Sequence, residues 1–343
     1  MNFDMFTPDY GILPSNYFQR SAITNPTEIF WSEDLLSLLR LCDAKEEQIG
    51  ERASDYDRFL SLCRALPLLQ GHPTSAWIAS VLEKYFDLKE LPTEETAPTV
   101  WKSLCDTLLN HPLSPKDLVC GTWLCDGVTV PSDLPKKITP AMKANLLLHT
   151  GAKNIAAWRE EIIATVAHFV AHGCQKVVLH LPKEFSFVVP SVYHIERALQ
   201  LSKKDREAAN LLICQLVREL CRILQENGML LVLVCEGNAS DVAALLEYAE
   251  ENVGLPHLCW SLHDARDAYP LLHFTAKTHK NEILAALRYE NVMTERELSD
   301  TVEAWQVRYP MMRLCYLIGG DLRQTSFVRE RICRMFDKLS TKI

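Results

Sequence analysis

Long apolar runs are missing from this chain of 343 residues. No stretch approaches the roughly 20 apolar residues that a membrane-spanning helix needs. The first ten residues, MNFDMFTPDY, have neither the basic flank nor the apolar segment of a secretory signal peptide. We therefore expect a soluble protein that stays in the cytoplasm and has no membrane as a partner.

Glycine is also scarce, with 12 residues in the whole chain. Neither G-x-G-x-x-G nor G-x-x-x-x-G-K-[ST] occurs, and these turns are the ones that let the backbone approach the phosphates of a dinucleotide or a nucleoside triphosphate. A G-x-S-x-G nucleophile elbow is absent as well. The sequence therefore supports neither kind of phosphate site and no serine or cysteine nucleophile.

An excess of basic residues is missing too. Lys and Arg number 36 against 44 Asp and Glu, which leaves a net charge of −8. A phosphate backbone would be repelled by this charge, so nucleic acid is not an expected partner. None of the 12 cysteines forms a Cys-x-x-Cys pair, which removes zinc-ribbon and thioredoxin spacings. Without an export signal, we expect reduced, buried thiols.

Amphipathic helices account for residues 27–112. The segments DLLSLLRLC, DYDRFLSLCRALPLL and SAWIASVLEKYF place apolar residues at three- and four-residue spacing, which is typical of helices. Gly71 and Pro73 separate two of these helices, and His111-Pro112 ends the block. The sequence predicts a helical insertion over 27–112, between a segment 1–26 with the first strand and the remainder, 113–343.

Short apolar runs alternate with helical stretches after residue 118. The runs are LVCGTWL, ANLLLH, KVVLHL, MLLVLVC, HLCWSL, EILAALR and RLCYLI. Such continuous runs are typical of strands buried on both faces of a parallel sheet, and the alternation with helices indicates βαβ units. The Pro/Lys-rich stretch PSDLPKKITP is interpreted as a linker.

Seven such strands and a weaker candidate at 10–13 make eight. A barrel of eight strands takes about 250 residues, so a barrel with the helical insertion fits the chain length. The predicted fold class is α/β, a (β/α)8 TIM-type barrel with an all-helical insertion near the N-terminus. A doubly wound open sheet is the alternative, although its glycine-rich first turn is missing.

Polar side chains follow the predicted strands. In a barrel the reactive groups come from the C-terminal ends of the strands. The residues in those places are Cys125 and Asp126, His149, His180, Glu236, His263 and Asp264, and Asp321 with Arg323. Histidines, carboxylates and an arginine at one rim suit acid–base chemistry on a small anionic substrate. For any single one of them, a hydrogen-bonded loop or cap position is the simpler interpretation.

His168 and His172 are spaced like the two ligands of an H-E-x-x-H zinc site. The glutamate is absent, and both histidines lie in the last turns of a predicted helix. The helix dipole favours histidine there, so we predict a structural role.

The stretch 51–109 resembles the helical insertion of the uronate isomerase (glucuronate isomerase) family. DYDRF is followed by a Gly-x-Pro turn, a helix with tryptophan, a Tyr-Phe pair, an LPTEETA turn and a second helix with tryptophan. TEIFWSED upstream, and GLPHLCWSLHDARD and MRLCYLIGGDLRQTSFVRERICRMF downstream, are similar to further segments of the family. The chain is thereby identified as a divergent member of the metal-dependent hydrolase (amidohydrolase-like) barrel superfamily.

The resemblance implies aldose–ketose isomerisation of a hexuronate such as glucuronate or galacturonate. Family members hold a divalent metal, often zinc, through a His-x-His pair after the first strand and an aspartate after the last. Asp321 matches that aspartate and is implied as metal ligand or base, with Arg323 as its partner or a substrate clamp. Gly11 and Leu13 stand where the pair is expected, and neither can ligate a metal. The implied metal site is degenerate, and the cofactor stays unknown.

Strand ends and resemblance together give the candidate residues. Those predicted to be catalytic are Asp321, His180, His149 and Glu236. Those predicted to bind substrate are Arg323, His263 and Arg40, the last from the helix where the family holds the substrate carboxylate. The expected ligand is a small sugar acid, and a homo-oligomer is left open.

Three functions follow from different classes. The first is an active hexuronate isomerase with a rearranged site. The second is a catalytically inactive family member that binds a sugar acid or a partner protein. The third is a barrel enzyme with metal-free acid–base chemistry that uses His149, His180, Glu236 and Asp321.

Overall fold

The computed structural model describes residues 11, 17–19, 22–31, 33–70, 73–119, 121–201, 205–262, 268–278, 283–288, 295–310 and 312–317. Among these residues, no helix is both long enough and apolar enough to cross a membrane.

The described residues between Thr27 and Leu118 form seven helices and no strand. They are α1 (Thr27–Phe30), α2 (Glu33–Leu41), α3 (Glu46–Ile49), α4 (Asp55–Ala65), α5 (Pro73–Phe86), α6 (Ala97–Asn110) and α7 (Pro115–Leu118). An antiparallel bridge between Ile23 and Leu113 joins the segment before α1 to the segment between α6 and α7, with N···O distances of 2.7 and 3.2 Å. The predicted helices are present, while the division of the chain into domains at 26 and 112 stays a prediction.

In the part of the chain that the structure describes, seven strands form one parallel sheet, and their spatial order is their order along the chain. They are β1 (Gly121–Cys125), β2 (Ile138–Lys143), β3 (Lys176–Leu181), β4 (Leu230–Cys235), β5 (His257–Leu262), β6 (Ile283–Arg288) and β7 (Leu314–Leu317). All neighbouring pairs are parallel, so the carboxyl ends meet at one edge. Gly11 adds a parallel bridge beside β1, where its N–H donates to the carbonyl of Thr122 (2.7 Å) and its carbonyl accepts from Leu124 (2.8 Å). This is the strand arrangement of a (β/α)8 barrel.

Among the described residues, six further helices follow β2 to β6. They are α8 (Ile155–Ala171), α9 (Val192–Gln200), α10 (Arg206–Glu226), α11 (Ala239–Asn252), α12 (Tyr269–Lys277) and α13 (Glu295–Arg308). Local chemistry sets their ends: the side chains of Asn154 and Asp205 accept backbone N–H groups at the starts of α8 and α10. Gly173 and Gly228 follow the same two helices with φ of 80° and 60°, a backbone conformation that glycine adopts without strain.

The strands alternate between two cores, as their two-residue period requires. On one face, side chains such as Trp123, Leu179 and Trp260 join Trp77 and Trp158 of the helices in one continuous cluster. The opposite face, named the inner face here, carries a second cluster formed by Leu124, Ala141, Val178, Leu230, Val232, Val234, Cys259, Leu284, Ala286 and Cys315. Polar residues that share this alternation near the carboxyl edge are placed to meet a ligand.

One predicted strand is wrong. ANLLLH, residues 144–149, forms a 3-10 helix, and the strand at this place is β2, which lies partly in the stretch interpreted as a linker. The search for continuous apolar runs missed β2 because this strand contains Pro140 and ends in Lys143. The proline, which has no N–H to donate, is tolerated because β2 pairs with β3 beyond it, through Met142 and Lys143. The other six runs overlap β1 and β3 to β7.

Candidate functional site

His180 is the predicted catalytic residue that the sheet holds most directly. It occupies the fifth position of β3 and alternates with Val178 of the inner-face cluster, so its side chain faces the same way. Its register partner on β4 is Val234, also on the inner face. The imidazole is half-buried. It is therefore held by the sheet at the edge where a barrel places its reactive groups.

Asn145 fixes the backbone of His180. Its Nδ2 donates to the His180 carbonyl (2.8 Å), and the His180 N–H donates to its Oδ1 (2.9 Å). β2 and β3 pair through only Met142 and Lys143, so the amide side chain continues the ladder past the end of β2. The 3-10 helix that was predicted as a strand is what brings Asn145 to this position.

Asn145→Ala is expected to lower the free energy of unfolding by about 2 kcal/mol, because two hydrogen bonds of about 1 kcal/mol each are lost. Urea denaturation of the two proteins measures the difference. Asn110→Ala is the matched control, since that exposed amide donates to its own helix at Asp106 and its loss is expected to cost less than about 0.5 kcal/mol. Equal stabilities of the two variants would contradict the role given to Asn145.

Glu236 and His149 are both exposed residues that follow strands. Glu236 comes directly after β4, and its N–H donates to the carbonyl of Leu181 (3.1 Å). The structure thus brings Glu236 and His180 to the ends of neighbouring strands. His149 ends the 3-10 helix after β2, so the prediction that it ends a strand is wrong. The apolar run before it was mistaken for a strand because short helices and strands of leucine look alike.

Arg40 lies on α2 with an exposed side chain, and its Nε donates to Glu46 Oε1 at 2.6 Å. A role in substrate binding stays a prediction for this residue. Asp321, Arg323 and His263 lie outside the described residues, as does Asp264.

Two polar residues of the inner face were missed by sequence reasoning. Lys143 ends β2 and alternates with Ala141, so it faces inward and is half-buried. Ser261 of β5 alternates with Cys259 and is fully buried, and its Oγ has no hydrogen-bond partner among the described residues. The sequence signal for Ser261 was its hydroxyl within an apolar strand, since a buried polar group without a partner is rare.

The described part of the chain contains no group of three or more His, Cys, Asp and Glu side chains arranged to hold a metal. Gly11, the first position where the resemblance expects a metal-binding histidine, is engaged through its backbone with β1. Asp321, the implied ligand, is outside the described residues. Gly11 has no side chain with which to hold the metal of the family, and no catalytic step is assigned to one.

Burial decides the chemistry of the thiols. All ten described cysteines are free, and eight of them are buried. Loss of solvation raises the pKa of Cys63, Cys125 and Cys221 to about 12. Because the thiolate is the nucleophilic form, these side chains are structural. Cys125, which was a strand-end candidate, packs on the helix-facing side of β1.

His168 lies in the last turn of α8 and His172 is the C-cap of that helix. Both make structural hydrogen bonds. Nε2 of His168 accepts the backbone N–H of Val130 (3.1 Å), which uses the lone pair that a metal would need. Nδ1 of His172 lies 2.8 Å from the His168 carbonyl. Both contacts agree with the structural role predicted for the pair.

The sequence of this chain is similar to those of known uronate isomerases. Residues 14–123 match the family model of glucuronate isomerase. The uronate isomerase of Clostridium perfringens is 35% identical over 74 residues, which are 22% of this chain and 16% of that protein. The uronate isomerase of Brachyspira hyodysenteriae is 31% identical over 108 residues, 31% of this chain and 23% of that protein. The resemblance to the uronate isomerases is confirmed. In these two matches the chain covers less than a quarter of the length of each curated relative.

The likeness of fold to uronate isomerases extends much further than the likeness of sequence. The crystal structure of uronate isomerase from Thermotoga maritima superposes with a TM-score of 0.74 at 14% identity, over 98% of this chain and 86% of that one. Glucuronate isomerase from Caulobacter crescentus gives 0.76 at 10% identity, over 98% and 85%. The predicted (β/α)8 TIM-type fold is therefore confirmed.

Proposed function

We propose that the protein is a hexuronate isomerase, which interconverts an aldose such as glucuronate or galacturonate and its ketose. The match of residues 14–123 to glucuronate isomerase is the observation that carries the proposal. The sheet supports it, because His180 stands on the inner face at the edge where barrel enzymes hold their substrates.

The reaction moves a proton from C2 to C1 of the open-chain sugar while the carbonyl moves from C1 to C2. A base must lie within reach of the C2 proton, and a donor must hold the enediolate oxygen that develops. In this proposal Asp321 is the base and His180 donates to the oxygen. Arg323 pairs with the substrate carboxylate through two parallel N–H···O bonds. Asp321 then returns the C2 proton to C1. Glu236, at the strand end beside His180, takes the hydroxyl proton from the oxygen on C2, which balances the proton that His180 gives to the oxygen on C1.

The proposal includes a cytoplasmic location and a small sugar acid as ligand. The free thiols support a reducing compartment, since an oxidising one favours disulfides. A homo-oligomer stays a prediction.

The purified protein is expected to form ketose from D-glucuronate or D-galacturonate at about 1 s⁻¹ or faster. Each sugar is tested alone, with zinc, with manganese and without added metal. Asp321→Asn is expected to remove the turnover because the amide cannot accept the proton, whereas Asp106→Asn, on the exposed face of α6, keeps it.

One outcome would reject the proposal, and two further results would identify which alternative applies. No ketose from either sugar under any metal condition excludes the isomerase. A thermal shift with a hexuronate but no turnover identifies the sugar-acid-binding alternative, and turnover of a different substrate class identifies the metal-free enzyme.

A further inference from the structure

Three arginine side chains line one pocket among the outer helices. The pocket has a volume of about 260 Å³ and is lined by Arg159 of α8, by Arg218, Glu219 and Arg222 of α10, and by Val253 after α11. No lining residue belongs to a strand or to the candidate site at the carboxyl edge of the sheet. The lining carries three positive charges and one negative charge, in a protein whose net charge is −8. Among the described lining residues, this is an excess of two positive charges.

Glu219 carries the only carboxylate among the described lining residues, and that carboxylate already has hydrogen-bond partners. Glu219 is buried, with 7% of its side chain exposed, and its Oε1 accepts from Arg159 Nε at 2.6 Å and from Gln215 Nε2 at 2.5 Å. Its Oε2 lies 3.8 Å from Arg222. The pairing holds Arg159 in one orientation through Nε and leaves its two terminal nitrogens outside that bond.

The other two arginines have unused donors. Arg222 lies 3.5 Å from Glu226, an exposed pair of the kind that contributes little. Arg218, half-buried, makes no hydrogen bond or ion pair with any residue that the structure describes. Because Arg218 and Arg222 are four residues apart on α10, they share one face of the helix. A guanidinium has five N–H donors and no acceptor, so this face calls for an anion with several oxygens.

We propose that this pocket binds a small phosphate monoester through its dianionic phosphate. The two charges of the phosphate match the excess in the lining, and guanidinium groups bind phosphate oxygens in pairs. Glu219 orients Arg159 before the ligand arrives, which reduces the entropy lost on binding. The volume lies just below the usual range for small-molecule pockets, so the pocket admits a phosphate with a small attached group and not a polymer. The proposal is independent of the isomerase activity.

Isothermal titration calorimetry tests the proposal. The protein is titrated with glucose 6-phosphate and with inorganic phosphate, and chloride holds the ionic strength constant. We expect saturable binding of one ester per chain. Arg218→Gln is expected to weaken it about tenfold or more, as the loss of a charge-assisted bond predicts. This variant keeps the Arg159–Glu219 pair and is expected to melt at the wild-type temperature. Arg64→Gln makes the same change of charge on α4, where Arg64 pairs with Glu94, and is expected to bind like the wild type.

Several results would overturn the proposal. They are an absence of saturable binding, equal affinities in the wild type and Arg218→Gln, an equal loss in Arg218→Gln and Arg64→Gln, and binding of inorganic phosphate without binding of the ester. Hexuronate turnover of Arg218→Gln, measured in parallel, reports on the barrel site separately, because no lining residue of the pocket takes part in the proposed reaction.

Discussion

Replacing His180 by glutamine is expected to lower hexuronate turnover by about 100-fold or more, the range that a positioned proton donor contributes. Glutamine keeps a hydrogen-bond donor of similar reach but cannot take up or release a proton. Because Asn145 and β4 hold the backbone of residue 180, the substitution changes the chemistry of the side chain more than its position. The measurement is kcat and kcat/KM for the better hexuronate, over a range of pH.

His172→Gln is the matched control for that experiment. His172 is an exposed histidine at the end of α8, and its replacement is expected to leave turnover within about twofold, as for surface substitutions far from a site. If His180→Gln also kept turnover within that range, the proton donor of the reaction would have to be sought elsewhere along the carboxyl edge.

Raising the pH from 7 to 10 is expected to lower the free energy of unfolding by about 4 kcal/mol through three buried thiols. Burial raises the pKa of Cys63, Cys125 and Cys221 from 9.0 to about 12. Below pH 9 each thiol is protonated in the folded and in the unfolded chain, so the free energy of unfolding does not depend on pH through these thiols. Between pH 9 and 12 the unfolded chain releases the proton and the folded chain keeps it, which favours unfolding by about 1.4 kcal/mol per thiol at pH 10.

Urea denaturation under reducing conditions at the two pH values measures this loss. Cys63→Ala is expected to be less stable at pH 7, because a buried atom is removed, yet its loss between pH 7 and 10 is expected to be smaller by about 1.4 kcal/mol. Cys105→Ala is the comparison, since that thiol is only partly buried. An unchanged pH dependence in Cys63→Ala would show that other groups cause the alkaline loss.

The sequence predicted the strands whose residues are apolar throughout, because such a pattern is typical of a strand buried on both faces. Strands such as β4, LLVLVC, are apolar on both sides because helices cover one face of the sheet and the inner-face cluster covers the other. β2 could not be recognised, because Pro140 and Lys143 interrupt its apolar pattern, and their tolerance depends on where the neighbouring strand begins to pair.

In the candidate site, too, some residues could be predicted from the sequence and others could not. His180 was predictable, since a polar side chain near the end of a buried strand is costly unless it meets a ligand or a hydrogen-bond partner. Asn145 was not, because its role depends on the gap between β2 and β3, which is a property of the assembled sheet. The arginine pocket depends on two helices, α8 and α10, meeting across about 60 residues of sequence, and neither helix alone contains the charge pattern.

The Ile23–Leu113 bridge has a consequence for the kinetics of folding. Gly11 must find β1 across about 110 residues, and the entropy of closing such a loop grows with the logarithm of its length. Once the helices have formed and the bridge has closed, the free chain left between Gly11 and Trp123 is only about 20 residues. The entropic barrier for that pairing then falls by about 1.5 kcal/mol, and because helices form from local contacts they are expected to fold first. The edge of the sheet at Gly11 therefore closes fast only after the helices are in place.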